Sequence, residues 1–183
     1  MEAAGDRRLT EDDLDELADD SYRHELTAGL LLREPPPGFR HGRVQLRLAE
    51  LLAAFVRAEG LGEVVPDVGF VLAKNPDTVR QPDLAFVASS RLAMITDDAR
   101  RFPGPPDLAI EVLSPSDRPA EVHAKVADYL AAGTRAVWLL DPRTRSVTVY
   151  RALLEPKRLE SVCVLDGEDV LPGFSILVGA MFG

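Results

Sequence analysis

Two carboxylates stand where a folded chain tolerates them least. Glu111 lies among Leu108, Ala109, Ile110, Val112 and Leu113, and Asp83 opens the run DLAFV. Both segments have the length and composition of buried strands. Removing even a neutral polar group from water without a partner costs about 2–7 kcal/mol, and a charge costs more. Something must therefore meet Glu111, and Asp83, Lys125 and a divalent cation are the candidates. Magnesium takes one or two carboxylates and completes its shell with water and phosphate oxygens, so Asp83 and Glu111 suit it if their strands are neighbours. Phosphodiester hydrolysis needs an attacking water, charge neutralisation on the phosphate and help for the leaving oxygen, all of which a divalent ion supplies. A nearby ammonium can orient the water or stabilise developing charge. Lys125 lies in EVHAKVADYLAAG, on the helix that follows the Glu111 segment.

Each residue also has a plainer reading. Asp83 could end a turn, and Glu111 could be half of a buried ion pair. Lys125 follows Glu121 by four positions, the favourable order for a surface helix pair worth about 0.2–0.5 kcal/mol. Asp107 shares a strand side with Glu111 but lies about 13 Å away along it. It is better suited to capping the strand start than to a supporting role at the site. Tyr129 and Trp138 read as core or partner-facing residues, and Cys163 as an inert apolar-strand residue. Arg80, Arg91, Arg100, Arg101 and Arg118 bracket the site in sequence; they could form a phosphate-contacting rim, with Arg80 and Arg118 foremost, or a solvated face.

The elements that must position these groups read as follows. Thr10 caps a short helix over EDDLDELADD, with acids in its first turn. HELTAGLLLRE alternates like a hairpin turning near Gly29, and PPPG breaks the chain after it. Gly42–Glu59 has Val44, Leu48, Leu51, Leu52, Phe55 and Val56 at helical spacing, with His41 at its entrance and Gly60 and Gly62 at its end. Val64–Ala73 reads as one strand disturbed at Pro66, KNPDTVRQ as a turn, and Asp83–Val87 as a strand. Ser89–Pro106 is irregular, with a helical turn around Thr96–Arg101. Leu108–Leu113 and Ala136–Leu140 are strands joined by a helix that ends at Gly133, so they should be parallel neighbours. Ser146–Arg151 and Ser161–Leu165 complete the strands. The expected fold is an α/β domain, a mixed sheet flanked by helices with an N-terminal hairpin and helix.

The chain has 183 residues, enough for one domain with a sizeable core. A single domain over 1–183 is expected, with residues 1–8 disordered. Apolar content of 46% and charged content of 28% are ordinary globular values. No apolar run is long enough to span a membrane. The acidic N-terminus is not a signal peptide, and the lone cysteine rules out an internal disulfide, so the cytoplasm is expected. Lysine is scarce: Lys74, Lys125 and Lys157 stand against 18 arginines. With the abundant alanine, this suggests a bacterium with a GC-rich genome. The net charge of −9 excludes a protein that grips nucleic acid over its whole surface, leaving only a local patch.

The stretches PDLAFV, PPDLAIEVLSPSD, KVADYLAAG and AVWLLDP together resemble the Uma-two family, restriction-endonuclease-like proteins of the PD-(D/E)xK nuclease superfamily. HELTAGLLLREPPPGFRHGRVQLRLAELLAAF resembles the family's N-terminal part and VLPGFSILVGAMF its C-terminal part, so the resemblance covers nearly the whole chain. It implies a restriction-endonuclease-like fold and a Mg²⁺- or Mn²⁺-dependent endonuclease acting on DNA. Asp83 and Glu111 would be metal ligands, Glu25 would complete the metal shell, and Lys125 would be the helix lysine. His41 matches the helix-entry histidine. The wider superfamily has its lysine two residues after the glutamate, where this chain has Leu113. Glu121 stands where the family has aspartate. A homodimer is expected by the same analogy. The alternatives are a catalytically silent binding or assembly module of the same fold, and a metal-dependent hydrolase of a small phosphate ester. A closed pocket would favour the small substrate, and an open groove with a basic rim would favour DNA.

Overall fold

In the computed structural model, which describes residues 8–17, 20–96 and 98–183, the longest helix is α2, Phe39–Ala58. Val44, Leu48, Leu52 and Val56 recur every four residues and bury one stripe of it. That stripe packs on a six-stranded sheet made by β3 (Gly62–Pro66), β6 (Leu84–Ala88), β8 (Leu108–Val112), β9 (Ala136–Asp141), β10 (Ser146–Tyr150) and β11 (Lys157–Leu159). Its order is β11-β10-β9-β8-β6-β3. Side chains alternate across a strand. Leu84 and Phe86, Leu108 and Ile110, and Trp138 and Leu140 join the α2 core. Ala109 and Val137 point the other way, onto Val126 and Tyr129 of α3 (Pro119–Ala132). The central strands are covered on both sides, which explains why they read as unbroken apolar runs. Glu111 alternates with Ile110, so it falls on the α3 side.

The expected crossover is present. β8 and β9 run parallel, with Glu111 opposite Leu139, and α3 connects them. Gly133 ends α3 in the left-handed conformation at φ 104°, where only glycine is unstrained. The hairpin is also as expected, with β1 (Arg23–Thr27) antiparallel to β2 (Leu30–Glu34). It belongs to a second sheet of order β2-β1-β5-β4-β7, which adds β4 (Gly69–Ala73), β5 (Thr78–Arg80) and β7 (Arg101–Phe102). β12 (Val164–Asp166) and β13 (Ser175–Leu177) form a small third sheet.

Several boundaries differ from the sequence reading. Val64–Ala73 is two strands in two sheets, because the chain reverses at Asp67, whose φ is 51°. The KNPDTVRQ segment is a turn only up to Asp77; Thr78–Arg80 is a strand held by partners on both sides. A helical turn lies at Ser89–Met94, ahead of the expected one, where the Ala99 amide donates to the Thr96 carbonyl at 3.0 Å, and Arg101–Phe102 pairs in parallel with β4. The expected strand Ser161–Leu165 is replaced by two, Lys157–Leu159 and Val164–Asp166. The first helix, α1, covers Glu11–Asp15 after a Thr10 capping box. It is shorter than the expected span to residue 20, because Glu16 caps it and Leu17 is already in a bend; residues 18 and 19, and the disorder expected for residues 1–7, lie outside the described residues. Arg8 is held to the hairpin, donating to the Ala28 carbonyl at 3.1 Å. No helix among the described residues is long and apolar enough to cross a membrane.

Candidate functional site

β6 and β8 are antiparallel, with Leu84 opposite Ile110. One step further in that register sets Asp83 opposite Glu111. The two carboxylates thus meet because their strands are neighbours, at the open end of the β6–β8 pair. Asp83 is buried and fully bonded. Its Oδ2 faces His41 Nε2 at 3.0 Å and accepts from the Val112 amide at 2.7 Å. Its Oδ1 accepts from Arg23 Nη2 at 3.0 Å. Burial works against its ionisation, but the His41 bond, the Arg23 charge and the Val112 amide outweigh it and hold the carboxyl below its usual range. Gln45, one turn after His41 on α2, donates to the Asp83 carbonyl at 2.8 Å.

Glu111 is bonded less completely. Only 7% of it is exposed. Its Oε1 accepts from the Tyr129 hydroxyl at 2.9 Å. Its Oε2 lies 3.6 Å from Lys125 Nζ, beyond a normal hydrogen bond. Burial pushes its carboxyl up to about 8, with the negative charges of Asp83 and Glu25 adding to the effect and Lys125 and Arg23 opposing it.

Lys125 projects from the first half of α3 into a ring of acids. Nζ lies 2.8 Å from Glu34, 3.1 Å from Glu25 and 3.6 Å from Glu111. Burial disfavours the ammonium, but these three carboxylates raise its pKa and keep it charged. Glu25 sits fully buried on β1. Besides Lys125, it accepts from Arg80 Nη1 at 2.8 Å and from the Gln81 amide at 2.9 Å. Burial alone would raise its pKa; Lys125 and Arg80 bring it below the usual value. Arg80 is 2% exposed and also donates to Asp128, through Nε at 2.9 Å and Nη2 at 2.6 Å.

Five of the expected site residues, Glu25, His41, Asp83, Glu111 and Lys125, therefore converge. Of the remaining four, Arg80 joins them through Glu25, and Asp107, Glu121 and Arg118 lie outside the cluster. Asp107 lies at the far end of β8, where it accepts from the Ala88 amide and Arg91 and secures the strand start. Glu121 and Arg118 are exposed and paired with each other at 3.2 Å, on the outer edge. Arg80, expected at a phosphate-contacting rim, is instead an interior cation, because two carboxylates compensate its burial. Three further residues belong to the site. Arg23 clamps Asp83 and Asp67, Tyr129 holds Glu111, and Glu34 holds Lys125. The signals for two of them are spacing: Arg23 is two residues before Glu25 on one face of β1, and Tyr129 is four after Lys125 on one face of α3.

The donor set suits a hard cation in part. Among the described residues no group of three or more His, Cys, Asp and Glu side chains is arranged to hold a metal ion, and Glu25 is already taken up by two cations and an amide. Asp83, itself bonded to Arg23, His41 and the Val112 amide, and Glu111 are adjacent oxygen donors. Glu111 is buried with a single hydrogen bond, the kind of group that a cation would satisfy. Two carboxylates with open positions for water fit magnesium or manganese rather than zinc.

A cleft of about 540 Å³ opens over these groups, between the hairpin and the N-terminal half of α3.

The chain is similar to a solved protein whose structure is titled a putative nuclease belonging to DUF820 from Anabaena variabilis. The TM-score is 0.83 at 22% identity, covering 93% of this chain and 96% of that one. The fold is restriction-endonuclease-like. No curated protein matches the sequence. A family model described as "Putative restriction endonuclease" matches residues 11–179. With Asp83, Glu111 and Lys125 assembled inside that span, the chain belongs to the Uma2 family.

Proposed function

We propose that this protein is a Mg²⁺- or Mn²⁺-dependent endonuclease that hydrolyses DNA phosphodiester bonds. The observation that carries the reading is Glu111: a buried carboxylate beside Asp83, with one hydrogen bond and its lysine 3.6 Å away. In this reading Asp83 and Glu111 hold the cation, which when bound supplies an activated water and neutralises phosphoryl charge. His41, Arg23 and the Val112 amide fix the Asp83 carboxylate, so it needs little reorganisation on binding. Tyr129 fixes Glu111 in the same way. Lys125 stays charged and presents its ammonium to an entering phosphate oxygen or to the attacking water. Glu25 acts through Lys125 and Arg80, holding the lysine in place. A homodimer, implied by the family resemblance, would widen a small DNA footprint.

Plasmid nicking tests the reading. Wild-type protein should nick supercoiled DNA with Mg²⁺ or Mn²⁺ and not with chelator. Asp83→Asn, Glu111→Gln and Lys125→Met should each lose at least about a hundredfold, the scale of a removed electrostatic or acid–base contribution. Wild type inert with both ions, or variants as active as wild type, would overturn it.

A further inference from the structure

The cleft over the carboxylates is built differently from a duplex-binding groove. One wall is the outward face of the hairpin, where Leu30 and Leu32 are 52% and 39% exposed. The PPP turn continues it, and Val122 and Ala120 of α3 form the opposite wall. Its cations are already neutralised. Arg23 pairs with Asp83 and Asp67, Arg33 with Asp20, Arg80 with Glu25 and Asp128, and Lys125 with Glu25 and Glu34. The same cleft is also lined by Glu34, Asp117 and Glu121. Duplex binding draws on many phosphate contacts, and neither this lining nor a chain of net charge −9 offers them.

Two residues of the cleft's lining each keep a polar atom unused. Among the described residues, Thr27 Oγ1 and His41 Nδ1 are buried without a hydrogen-bond partner. Since His41 Nε2 faces the Asp83 carboxylate, it carries the proton there, and in the neutral ring Nδ1 is a lone-pair acceptor. Thr27 adds a hydroxyl that can donate or accept. Buried polar atoms left without partners are costly, and a small shift of either side chain would turn its atom to a ligand with polar edges on a flat apolar body. The volume lies within the range of sites that enclose a small organic group. An unstacked nucleobase has those properties: its faces lie against apolar walls and its edge carries donors and acceptors.

We infer that the cleft takes one unstacked base next to the phosphodiester held at Asp83 and Glu111, so that the preferred substrate is single-stranded nucleic acid rather than continuous duplex. This rests on the nuclease reading for the phosphodiester, but the base pocket can be tested by binding alone. A fluorescein-labelled 12-nucleotide single strand and the corresponding duplex would be titrated with the intact protein by anisotropy. The buffer would contain Ca²⁺, a cation that also takes oxygen ligands, at several salt concentrations.

The single strand should bind at least tenfold tighter than the duplex, with a salt slope of about −0.7 to −1.4, as for one or two phosphates. Leu32→Trp, which fills the cleft from an exposed position, should weaken single-strand binding at least tenfold. Thr27→Val, which removes only the hydroxyl, should weaken it several-fold. Duplex binding as tight as single-strand binding, a slope steeper than about −5, no binding of either probe, or both variants binding like wild type would each overturn the inference. Single-strand binding without cleavage in Mg²⁺ or Mn²⁺ would sustain the base pocket and sink the nuclease. Metal-dependent duplex cleavage with indifferent cleft variants would do the reverse.

Discussion

Glu111→Gln removes the titrating group and leaves a side chain of nearly the same shape, so its effect on stability against pH can be worked out. In the folded chain the Glu111 carboxyl is pushed from 4.5 up to about 8, first by burial and then by the charges of Asp83 and Glu25. Between those two pH values the folded state keeps a proton that the unfolded chain has released. Unfolding free energy therefore falls as pH rises, by ~1.36 kcal/mol per unit. The contribution is fully present below 4.5 and is lost once pH has passed about 8. From pH 5.5 to 8, about two and a half units, the loss is about 3 kcal/mol. Asp83 and Glu25 are held below their usual values and Lys125 above its own, so none of them titrates between these pH values and the difference between the two proteins isolates Glu111. For a chain of this size ~1 kcal/mol moves the midpoint by about 2–4 °C. Wild type should thus lose about 6–12 °C more than Glu111→Gln between these pH values. Thermal and urea denaturation followed by circular dichroism, in chelator throughout, would measure it. Parallel pH profiles, within ~1 kcal/mol, would refute the claim that Glu111 is a buried and under-compensated carboxyl.

Arg80→Met leaves Glu25 buried with only Lys125 and the Gln81 amide, and should cost about 3–5 kcal/mol in urea denaturation; a loss below ~1 kcal/mol would mean that Lys125 alone compensates Glu25. Tyr129→Phe removes the one hydrogen bond of Glu111 and should cost about 1–3 kcal/mol, with weaker cation binding; an unchanged calorimetric titration would show that Tyr129 does not position the carboxylate. Gly62→Ala would put a Cβ 2.1 Å from the Val87 carbonyl oxygen at φ 152°, and should destabilise the β3–β6 edge by at least about 1–3 kcal/mol, seen as a lower thermal midpoint.

How much of this was legible follows from the distances that carry it. Glu111 stood out because a lone acid inside an apolar run has few physical explanations. The parallel β8–β9 pair was legible because a helix of ordinary length separates two short apolar runs. Lys125 was a candidate because it lies on the helix that follows the Glu111 strand and matches the helix lysine of the family it resembles. What could not be read is which charge meets which. Arg23 reaches Asp83 across 60 residues and Arg80 reaches Glu25 across 55, so nothing local says which carboxylate either arginine meets. Arg80 in particular looked like a phosphate contact and is an interior cation. β5 was hidden for a related reason: its three residues are extended because β1 and β4 flank them, and in sequence they are too short a run to stand apart from the turn-forming KNPD before them.

The central claim, that Asp83 and Glu111 form a cation site serving phosphodiester hydrolysis, is tested most directly by calorimetric Mn²⁺ titration of wild type and Glu111→Gln, with plasmid nicking assayed in the same buffers. Wild type should bind Mn²⁺ and nick, and Glu111→Gln should do neither while remaining folded. Wild type without Mn²⁺ binding and without nicking would contradict the claim and make Glu111 a buried structural partner of Lys125 and Tyr129.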